Sequence, residues 1–205
     1  KRKIRYMIVV MLSGGLDSTG ALYKLLTETD EKIHVHHVSI RNREKRWRPE
    51  LRAANNVVGY CNKNIRPVSF STNVFEFMQF DNFFAWDNDV VRFVAAQVAK
   101  NNKDIHSVAL GKCVQDDDPS FKLRAMQARA LWHSCFFDID WRPPEIIRPV
   151  EDMRKKEIAE MLPERLYNFT WSCRTPIFRG VENDQGIWER CNGCKTCKQL
   201  KEDGL

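Results

Sequence analysis

The chain has 205 residues, of which 43% are hydrophobic and 29% are charged, a balance typical of a globular domain with a substantial core. Its formal net charge of +6 suits an anionic substrate such as ATP, and it neither requires nor excludes contact with nucleic acid. No apolar stretch approaches the roughly 18 residues of a membrane span, so we expect a protein without membrane contact.

The first predicted elements are a strand, a tight loop and a helix. Residues 7–12 are apolar, the following six residues are SGGLDS, and apolar residues then recur at helical spacing. The two glycines allow the backbone to approach a ligand, and the amino end of the new helix offers N–H groups that suit phosphate. Ser13, Ser18 and Thr19 add hydroxyl donors. The loop therefore predicts a phosphate-binding site.

The SGGLDS loop is not a Walker A loop, because it lacks the Gly-Lys-Ser/Thr ending. It resembles the SGGxDS loop of the N-type ATP pyrophosphatases, or PP-loop enzymes, which cleave ATP into AMP and pyrophosphate while adenylating a substrate oxygen. The resemblance implies that ATP contacts Leu12, Ser13, Gly14, Gly15, Leu16, Asp17, Ser18 and Thr19. Among these, Ser13, Asp17 and Ser18 are the catalytic candidates, and Asp17 either positions Mg²⁺ or orders the loop.

The remaining predicted elements alternate between strands and helices. We predict strands over residues 33–40, 65–70, 106–110 and 146–150, and helices over residues 49–61, 89–100, 120–136 and 153–162. This order predicts a Rossmann-like α/β fold of the adenine nucleotide alpha hydrolase type, with a parallel sheet covered by helices on both faces. Ligands of such sheets bind beyond the carboxyl ends of the strands, here predicted at residues 39–43, 71–73 and 111–118.

The seven cysteines include a late group formed by Cys173, Cys191, Cys194 and Cys197. An odd count with this spacing predicts a metal site in a reducing, cytoplasmic compartment and not a disulfide framework. Four thiolates complete a tetrahedral, structural Zn²⁺ site, and an iron–sulfur cluster is the alternative because it also takes four cysteines. We therefore predict a PP-loop ATP-binding domain over residues 1–165 and a zinc-binding segment over residues 166–205. Cys113, just past a strand end, is expected to face the active cleft.

The combination of a PP-loop with a late four-cysteine cluster resembles the 7-cyano-7-deazaguanine (preQ0) synthase family. The likeness extends over most of the chain through Arg46-x3-Glu50-Leu51-x-Ala53-Ala54, Pro149-Val150-x2-Met153-Arg154-Lys155-x-Glu157-Ile158 and Thr170-Trp171-Ser172-Cys173. It implies a catalytic role for Lys155, a substrate-binding role for Arg46, and a homodimer.

The resemblance also implies a reaction in queuosine and deazapurine biosynthesis. The family converts 7-carboxy-7-deazaguanine and ammonia to the nitrile, using ATP once to form an amide and once more to dehydrate it. A carboxylate of Asp116 or Asp117 suits the guanine-like edge of such a substrate, because it accepts two N–H donors.

The chain departs from this family at residues 85–92, where the family carries an Arg-Asn pair. Three alternatives therefore stay open. A divergent member activates another carboxylate or passes the acyl group to another amine. A PP-loop tRNA thiolation enzyme fits the net charge and the basic run 41–48. A nucleotide-binding zinc module without catalysis is the third.

Overall fold

The computed structural model describes residues 7–77, 87–114, 122–138, 140–182 and 185–205. The first half of the chain contains β1 (Met7–Met11), α1 (Leu16–Glu28), β2 (Lys32–Arg41), α2 (Trp47–Asn64), β3 (Ser69–Glu76) and α3 (Asp87–Lys100). The second half contains β4 (Ile105–Leu110), α4 (Lys122–Ser134), β5 (Glu145–Ile147), α5 (Lys155–Met161), α6 (Glu164–Asn168), β6 (Ile177–Glu182), β7 (Gln185–Glu189) and α7 (Lys195–Glu202).

Strands β1 to β5 form a parallel sheet in the order β3-β2-β1-β4-β5, and β6 pairs with β7 as an antiparallel hairpin. The strands of the sheet end at different heights. Met11 at the end of β1 lies opposite His36, whereas β2 continues to Arg41 beside Glu76 of β3. Because β2 and β3 extend past the end of β1, the loop after β1 lies beside the projecting ends of these two strands.

The core lies on both faces of the sheet. On one face, Ile8 and Val10 of β1 pack with residues of α1, α2 and α5. On the other face, Val9 and Met11 pack with residues of α3 and α4. Burial on both faces is the reason that β1 is a continuous apolar run without alternation. The predicted α/β fold class is thus confirmed.

Two predicted strands have different bounds in the structure. The third strand was predicted over residues 65–70, but β3 begins at Ser69 because α2 continues to Asn64 and Pro67 follows its end. As an edge strand with alternate residues exposed, β3 lacks the continuous apolar run used to locate it. Its carboxyl end is therefore Glu76, and the predicted strand end at residues 71–73 is wrong. The fifth strand was predicted over residues 146–150 and occupies Glu145–Ile147.

The predicted helices agree with α2, α3, α4 and α5 to within three residues at each end. The hairpin β6–β7 and the helices α6 and α7 were not predicted. Leu166 of α6 and Leu200 of α7 lie in the same core cluster as Leu22 of α1. The C-terminal residues thus pack on the α/β core, and the domain boundary between residues 165 and 166 stays a prediction. Among the described residues, the helices lack the length and apolar character needed to cross a membrane.

Candidate active site and metal centre

The SGGLDS loop joins β1 to α1 at the carboxyl end of the central strand. Gly14 has φ +84°, and a Cβ at this position would lie 2.7 Å from the carbonyl oxygen of Glu50. The Ser13 hydroxyl accepts a hydrogen bond from the Gly15 N–H at 3.2 Å and lies 2.9 Å from the Ser18 hydroxyl. The loop is therefore held by its own hydroxyl groups and packs against the first turn of α2.

The predicted ATP-binding residues differ in exposure. Ser13 is exposed, and Gly15 and Asp17 are partly exposed. The buried members of the set are Leu12, Gly14, Leu16, Ser18 and Thr19. Because Thr19 is completely buried, its hydroxyl is not presented at the surface of the loop. The buried residues offer mainly main-chain groups to a ligand, and their contacts with ATP stay predictions.

A segment from the far end of the chain contacts the same loop. The Trp171 N–H donates a hydrogen bond to the Gly14 carbonyl at 2.8 Å, and the Leu16 N–H donates to the Ser172 hydroxyl at 3.2 Å. A Cβ on Gly15 would lie 3.4 Å from the Trp171 carbonyl oxygen. The segment just before Cys173 thus fixes both the backbone of the loop and the amino end of α1.

Lys155 lies beside the loop at the first position of α5. Its Nζ donates a hydrogen bond to Asp17 Oδ2 at 2.8 Å and lies 3.3 Å from Cys113 Sγ. Only 5% of the Lys155 side chain is exposed. Close packing of α5 on α1 makes this approach possible, since a Cβ on Gly20 would lie 2.4 Å from Ile158. The structure therefore brings the predicted catalytic residues Asp17 and Lys155 together.

The other oxygen of Asp17 bears on the predicted magnesium ion. Oδ1 is buried and has no hydrogen-bond partner in the described part of the chain. A carboxylate oxygen is a ligand that Mg²⁺ prefers, and Mg²⁺ in nucleotide sites takes most of its other ligands from phosphate and water. Asp17 therefore fits a Mg²⁺ site that has one protein ligand.

Gly111 is a residue of the site whose role was not recognised from the sequence. It follows β4, and a Cβ there would lie 2.4 Å from the backbone nitrogen of Ser18 and 2.6 Å from its Cα. The end of β4 therefore touches the first turn of α1 directly. In the sequence, Gly111 directly follows a predicted strand, and this pattern indicated only the end of that strand.

The four late cysteines come together in the structure. The Sγ atoms of Cys173, Cys191, Cys194 and Cys197 all lie within 4.8 Å of one another. Cys173 and Cys197 are buried, and the other two are partly exposed. No other group of three or more potential metal ligands is found among the residues that the structure describes.

Hydrogen bonds favour the thiolate form of Cys191 in this cluster. Cys191 accepts hydrogen bonds from the Thr175 hydroxyl at 3.0 Å and from the N–H groups of Gly193 and Cys194 at 3.4 and 3.2 Å. These donors, the Thr175 hydroxyl first, lower the pKa of Cys191 to about 6. Burial instead raises the pKa of Cys173 and raises that of Cys197 to about 12, so these two thiols need a metal cation to become thiolates.

Arg46, a predicted substrate-binding residue, lies among carboxylates. Its guanidinium forms ion pairs with Glu44 at 2.5 Å, with Glu50 at 2.6 Å and with Asp87. Arg174 adds a second guanidinium, 3.4 Å from Glu44 and 3.2 Å from Asp87. Arg46 thus joins the start of α2 to the start of α3, and its contact with substrate stays a prediction.

The other predicted substrate-binding residues, Asp116 and Asp117, lie outside the described residues. The described residues before them continue from β4 towards α5, where the Val114 N–H donates to the Met153 carbonyl at 3.0 Å. Sequence reasoning also gave no role in the site to Asp87 and Arg174. Their signal was weak, because both are ordinary polar residues whose proximity depends on contacts between distant segments.

Comparison with known proteins gives a likeness in structure. The sequence matches no protein-family model and no curated protein. A solved structure with a similar fold is that of the U34-tRNA thiolase NcsA from Methanococcus maripaludis with its [4Fe-4S] cluster. The two chains are 14% identical with a TM-score of 0.52, over 82% of this chain and 58% of the thiolase.

The chain thus spans a little over half the length of this neighbour. At 14% identity the likeness shows the fold alone, a parallel sheet flanked by helices. The neighbour is a tRNA thiolase, which is the enzyme class of the alternative prediction, and it is not a 7-cyano-7-deazaguanine synthase.

Proposed function

We propose that this protein is an ATP pyrophosphatase of the PP-loop type that adenylates a carboxylate. The acceptor is 7-carboxy-7-deazaguanine, ammonia is the second substrate, and the product is the nitrile. The observation that supports adenylation is the SGGLDS loop at the amino end of α1, held between Lys155 on one side and Ser172 on the other. The acceptor itself is supported by the sequence resemblance.

The proposed chemistry uses ATP twice. In the first step, an oxygen of the acceptor carboxylate attacks the α-phosphorus of ATP, and pyrophosphate leaves with the electron pair of the broken P–O bond. Ammonia then attacks the acyl carbon and displaces AMP, which gives the amide. A second ATP adenylates the amide oxygen, and loss of AMP and two protons leaves the nitrile. AMP is a far better leaving group than the oxygen it replaces.

The residues of the site have distinct tasks in this scheme. N–H groups at the amino end of α1 and the exposed hydroxyl of Ser13 hold the departing pyrophosphate. The buried ammonium of Lys155 offsets the charge that grows on the phosphates, and Asp17 orients that ammonium. Mg²⁺, when bound, neutralises phosphate charge, and Asp17 offers it one oxygen.

The cysteine cluster is proposed as a structural zinc site. Tetrahedral Zn²⁺ with Zn–S bonds of about 2.3 Å places its sulfurs roughly 3.8 Å apart. Four cysteines on a four-iron cluster each bind a separate iron and are therefore held farther apart. Four Sγ atoms that all lie within 4.8 Å of one another favour the single ion. Such a site leaves no open position for chemistry.

A second candidate function is tRNA thiolation, which the fold of the thiolase neighbour favours. In that case a base carbonyl oxygen is adenylated and sulfur replaces it, with the four cysteines holding an iron–sulfur cluster. The same loop chemistry serves both candidates, and they differ in acceptor and in metal.

One experiment separates the two candidates. Protein purified without oxygen and without chelators is incubated with Mg-ATP, ammonium and 7-carboxy-7-deazaguanine, and products are identified by mass spectrometry. We expect the nitrile, AMP and one zinc per chain. Visible absorption, bound iron, and AMP formation that requires tRNA would instead assign the thiolase function. Asp17→Ala with full activity would count against the role of the loop in either case.

A further inference from the structure

A groove lies between the segment after β2 and the β6–β7 hairpin. Its volume is about 490 Å³, within the usual range for a small-molecule site. The lining residues are Arg43, Glu44, Lys45, Arg48, Thr175, Pro176, Phe178 and Trp188.

One wall of the groove is aromatic. The rings of Phe178 and Trp188 have centroids 4.9 Å apart, and Phe178 is 49% exposed. Gly186 makes room for the indole, since a Cβ there would lie 2.8 Å from Trp188 Nε1. A large aromatic surface left open in this way suits the flat face of another ring.

The opposite wall carries charge. Arg43, Lys45 and Arg48 are basic residues that line it, and the Arg48 guanidinium is held over the ring of Trp47 at 4.9 Å. The acidic residue of this wall, Glu44, pairs with Arg46 and Arg174 and keeps further lone pairs for N–H donors. The groove thus combines a net positive charge, an aromatic face and one carboxylate acceptor.

Each wall is connected to the candidate active site. Arg46, the partner of Glu44, also pairs with Glu50, whose carbonyl oxygen adjoins Gly14 of the loop. On the other wall, the Thr175 hydroxyl donates to Cys191 of the metal cluster. The groove is therefore linked to the loop through Arg46 and Glu50, and to the cysteine cluster through Thr175.

We propose that this groove binds the acceptor as a planar heteroaromatic acid. Its ring lies against Phe178 and Trp188, and its carboxylate is held by Lys45 and Arg48. This inference rests on the proposed function in one respect, that the acceptor is a carboxylate. The carboxylate must approach the α-phosphorus against the repulsion of the ATP phosphates. Cations beside the carboxylate offset this repulsion.

A nucleotide of an RNA strand also combines a flat heterocycle with an anionic group, which is a phosphate instead of a carboxylate. The free acid fits Glu44, because the carboxylate of this residue accepts the N–H groups of a heterocycle. It is also favoured by the volume, which is that of a site for a single small molecule.

Substitutions of groove residues test the proposal in the full-length, metal-loaded protein. Calorimetry measures binding of 7-carboxy-7-deazaguanine, of its amide and of a short single-stranded RNA, and a coupled assay measures AMP release. The charge variants are Lys45→Gln and Arg48→Gln, with Lys103→Gln at the opposite end of the sheet as the matched control. The aromatic variant is Phe178→Leu, and its control is Phe137→Leu, at a side chain that is 93% exposed.

We expect each charge variant to weaken binding of the acid about tenfold, the effect of losing one charge-assisted hydrogen bond, and to leave binding of the neutral amide unchanged. Phe178→Leu should weaken binding of both compounds, and neither control should change either. The KM for ATP should stay constant throughout.

Three outcomes overturn the proposal: unchanged affinity for the acid in the groove variants, failure of the unsubstituted protein to bind the acid, and RNA binding that these variants abolish while the acid does not bind. If the groove variants are unaffected while the protein still makes AMP from the acid, the proposed function stands and the groove assignment alone fails. If the acid binds in the groove but no AMP forms, the groove assignment stands and the proposed function fails.

Discussion

Lys155 is the residue on which the charge balance of the loop depends. Its buried ammonium pairs with Asp17 of the SGGLDS loop. We predict that Lys155→Met lowers the rate of AMP formation by about a hundredfold or more, as loss of a positioned electrostatic group does. Lys156→Met is the matched control, because the neighbouring side chain is 61% exposed and should not affect the rate. Near-normal turnover of Lys155→Met would remove this lysine from the mechanism.

Gly111 provides a second test at the residue scale. A Cβ there would lie 2.4 Å from a backbone nitrogen in the first turn of α1, which cannot move without disturbing the loop. We predict that Gly111→Ala lowers the free energy of unfolding in urea by about 2 kcal/mol, a typical cost of overpacking.

Gly59→Ala is the control for this substitution. Gly59 lies within α2, and a Cβ there would meet no atom of the described residues within 4 Å. Alanine at this position should therefore raise the free energy of unfolding by about 0.5–1 kcal/mol, because it favours the helix without a clash. Equal effects of the two substitutions would contradict the close approach at Gly111.

Residue-level prediction from the sequence succeeded where a residue acts within a local motif. The residues of the SGGLDS loop are consecutive, and those of the three-cysteine turn are closely spaced. The spacing within each motif alone therefore indicates that its residues act at one site. Ser172 could not be assigned a contact with Leu16, because 156 positions separate them and a serine carries no pattern. The surroundings of Arg46 were equally hidden, since Asp87 reaches it from a different helix.

Strand β2 carries a test at the scale of the secondary-structure element. His34 and His36 hydrogen-bond to Ser69, Ser71 and Asn73 of β3, and His37 binds the Leu12 carbonyl at 2.8 Å. Burial, the largest cause at each, lowers the pKa of all three histidines from 6.5.

Below pH 6.5 the unfolded chain therefore takes up protons that the folded chain does not. These histidines stabilise the fold fully above pH 6.5, and that contribution is lost as the pH falls, by up to about 1.4 kcal/mol per pH unit for each residue. We predict a lower free energy of unfolding at pH 5.5 than at pH 7.5, and a shallower dependence in His37→Asn. A dependence of the same slope in this variant would contradict a neutral, buried His37.

The segment before Cys173 allows a prediction about metal removal. Trp171 and Ser172 contact the loop, and Cys173 next to them belongs to the cysteine cluster. We predict that chelation of the metal raises the Kd for ATP about tenfold, because hydrogen bonds to the loop are lost.

Two variants separate this effect from general unfolding. Ser172→Ala in metal-loaded protein should also weaken ATP binding, whereas Cys135→Ser, outside the cluster, should not. Unchanged ATP affinity of both the chelated protein and Ser172→Ala would disprove the coupling between the metal centre and the loop.

The elements that sequence reasoning located are the ones buried on two sides or long enough to show helical spacing. Strand β1, helix α2 and strand β4 have such patterns. The edge strand β3 was misplaced because its exposed positions interrupt the apolar run. The β6–β7 hairpin was missed for a related reason, since Phe178 and Val181 are exposed.

At the scale of the whole molecule, three distant parts of the chain meet at the carboxyl end of the central strand. The SGGLDS loop follows β1. Lys155 of α5 donates a hydrogen bond to Asp17 of this loop, and Ser172 of the C-terminal segment accepts one from the N–H of Leu16. The cysteine cluster includes Cys173 of that segment, and Cys191 accepts a hydrogen bond from Thr175 of the groove. Under the proposed function, the metal centre has a structural task, which is to hold the parts of the site in place.

The central claim, that ATP adenylates an acceptor carboxylate, is tested most directly by isotope transfer. 7-Carboxy-7-deazaguanine labelled with oxygen-18 in its carboxylate is converted in unlabelled water, and the AMP is analysed by mass spectrometry. Because the attacking oxygen stays on phosphorus when the C–O bond breaks, we predict that AMP from both steps carries the label. AMP without the label, or release of ADP and phosphate instead of AMP, would contradict the account.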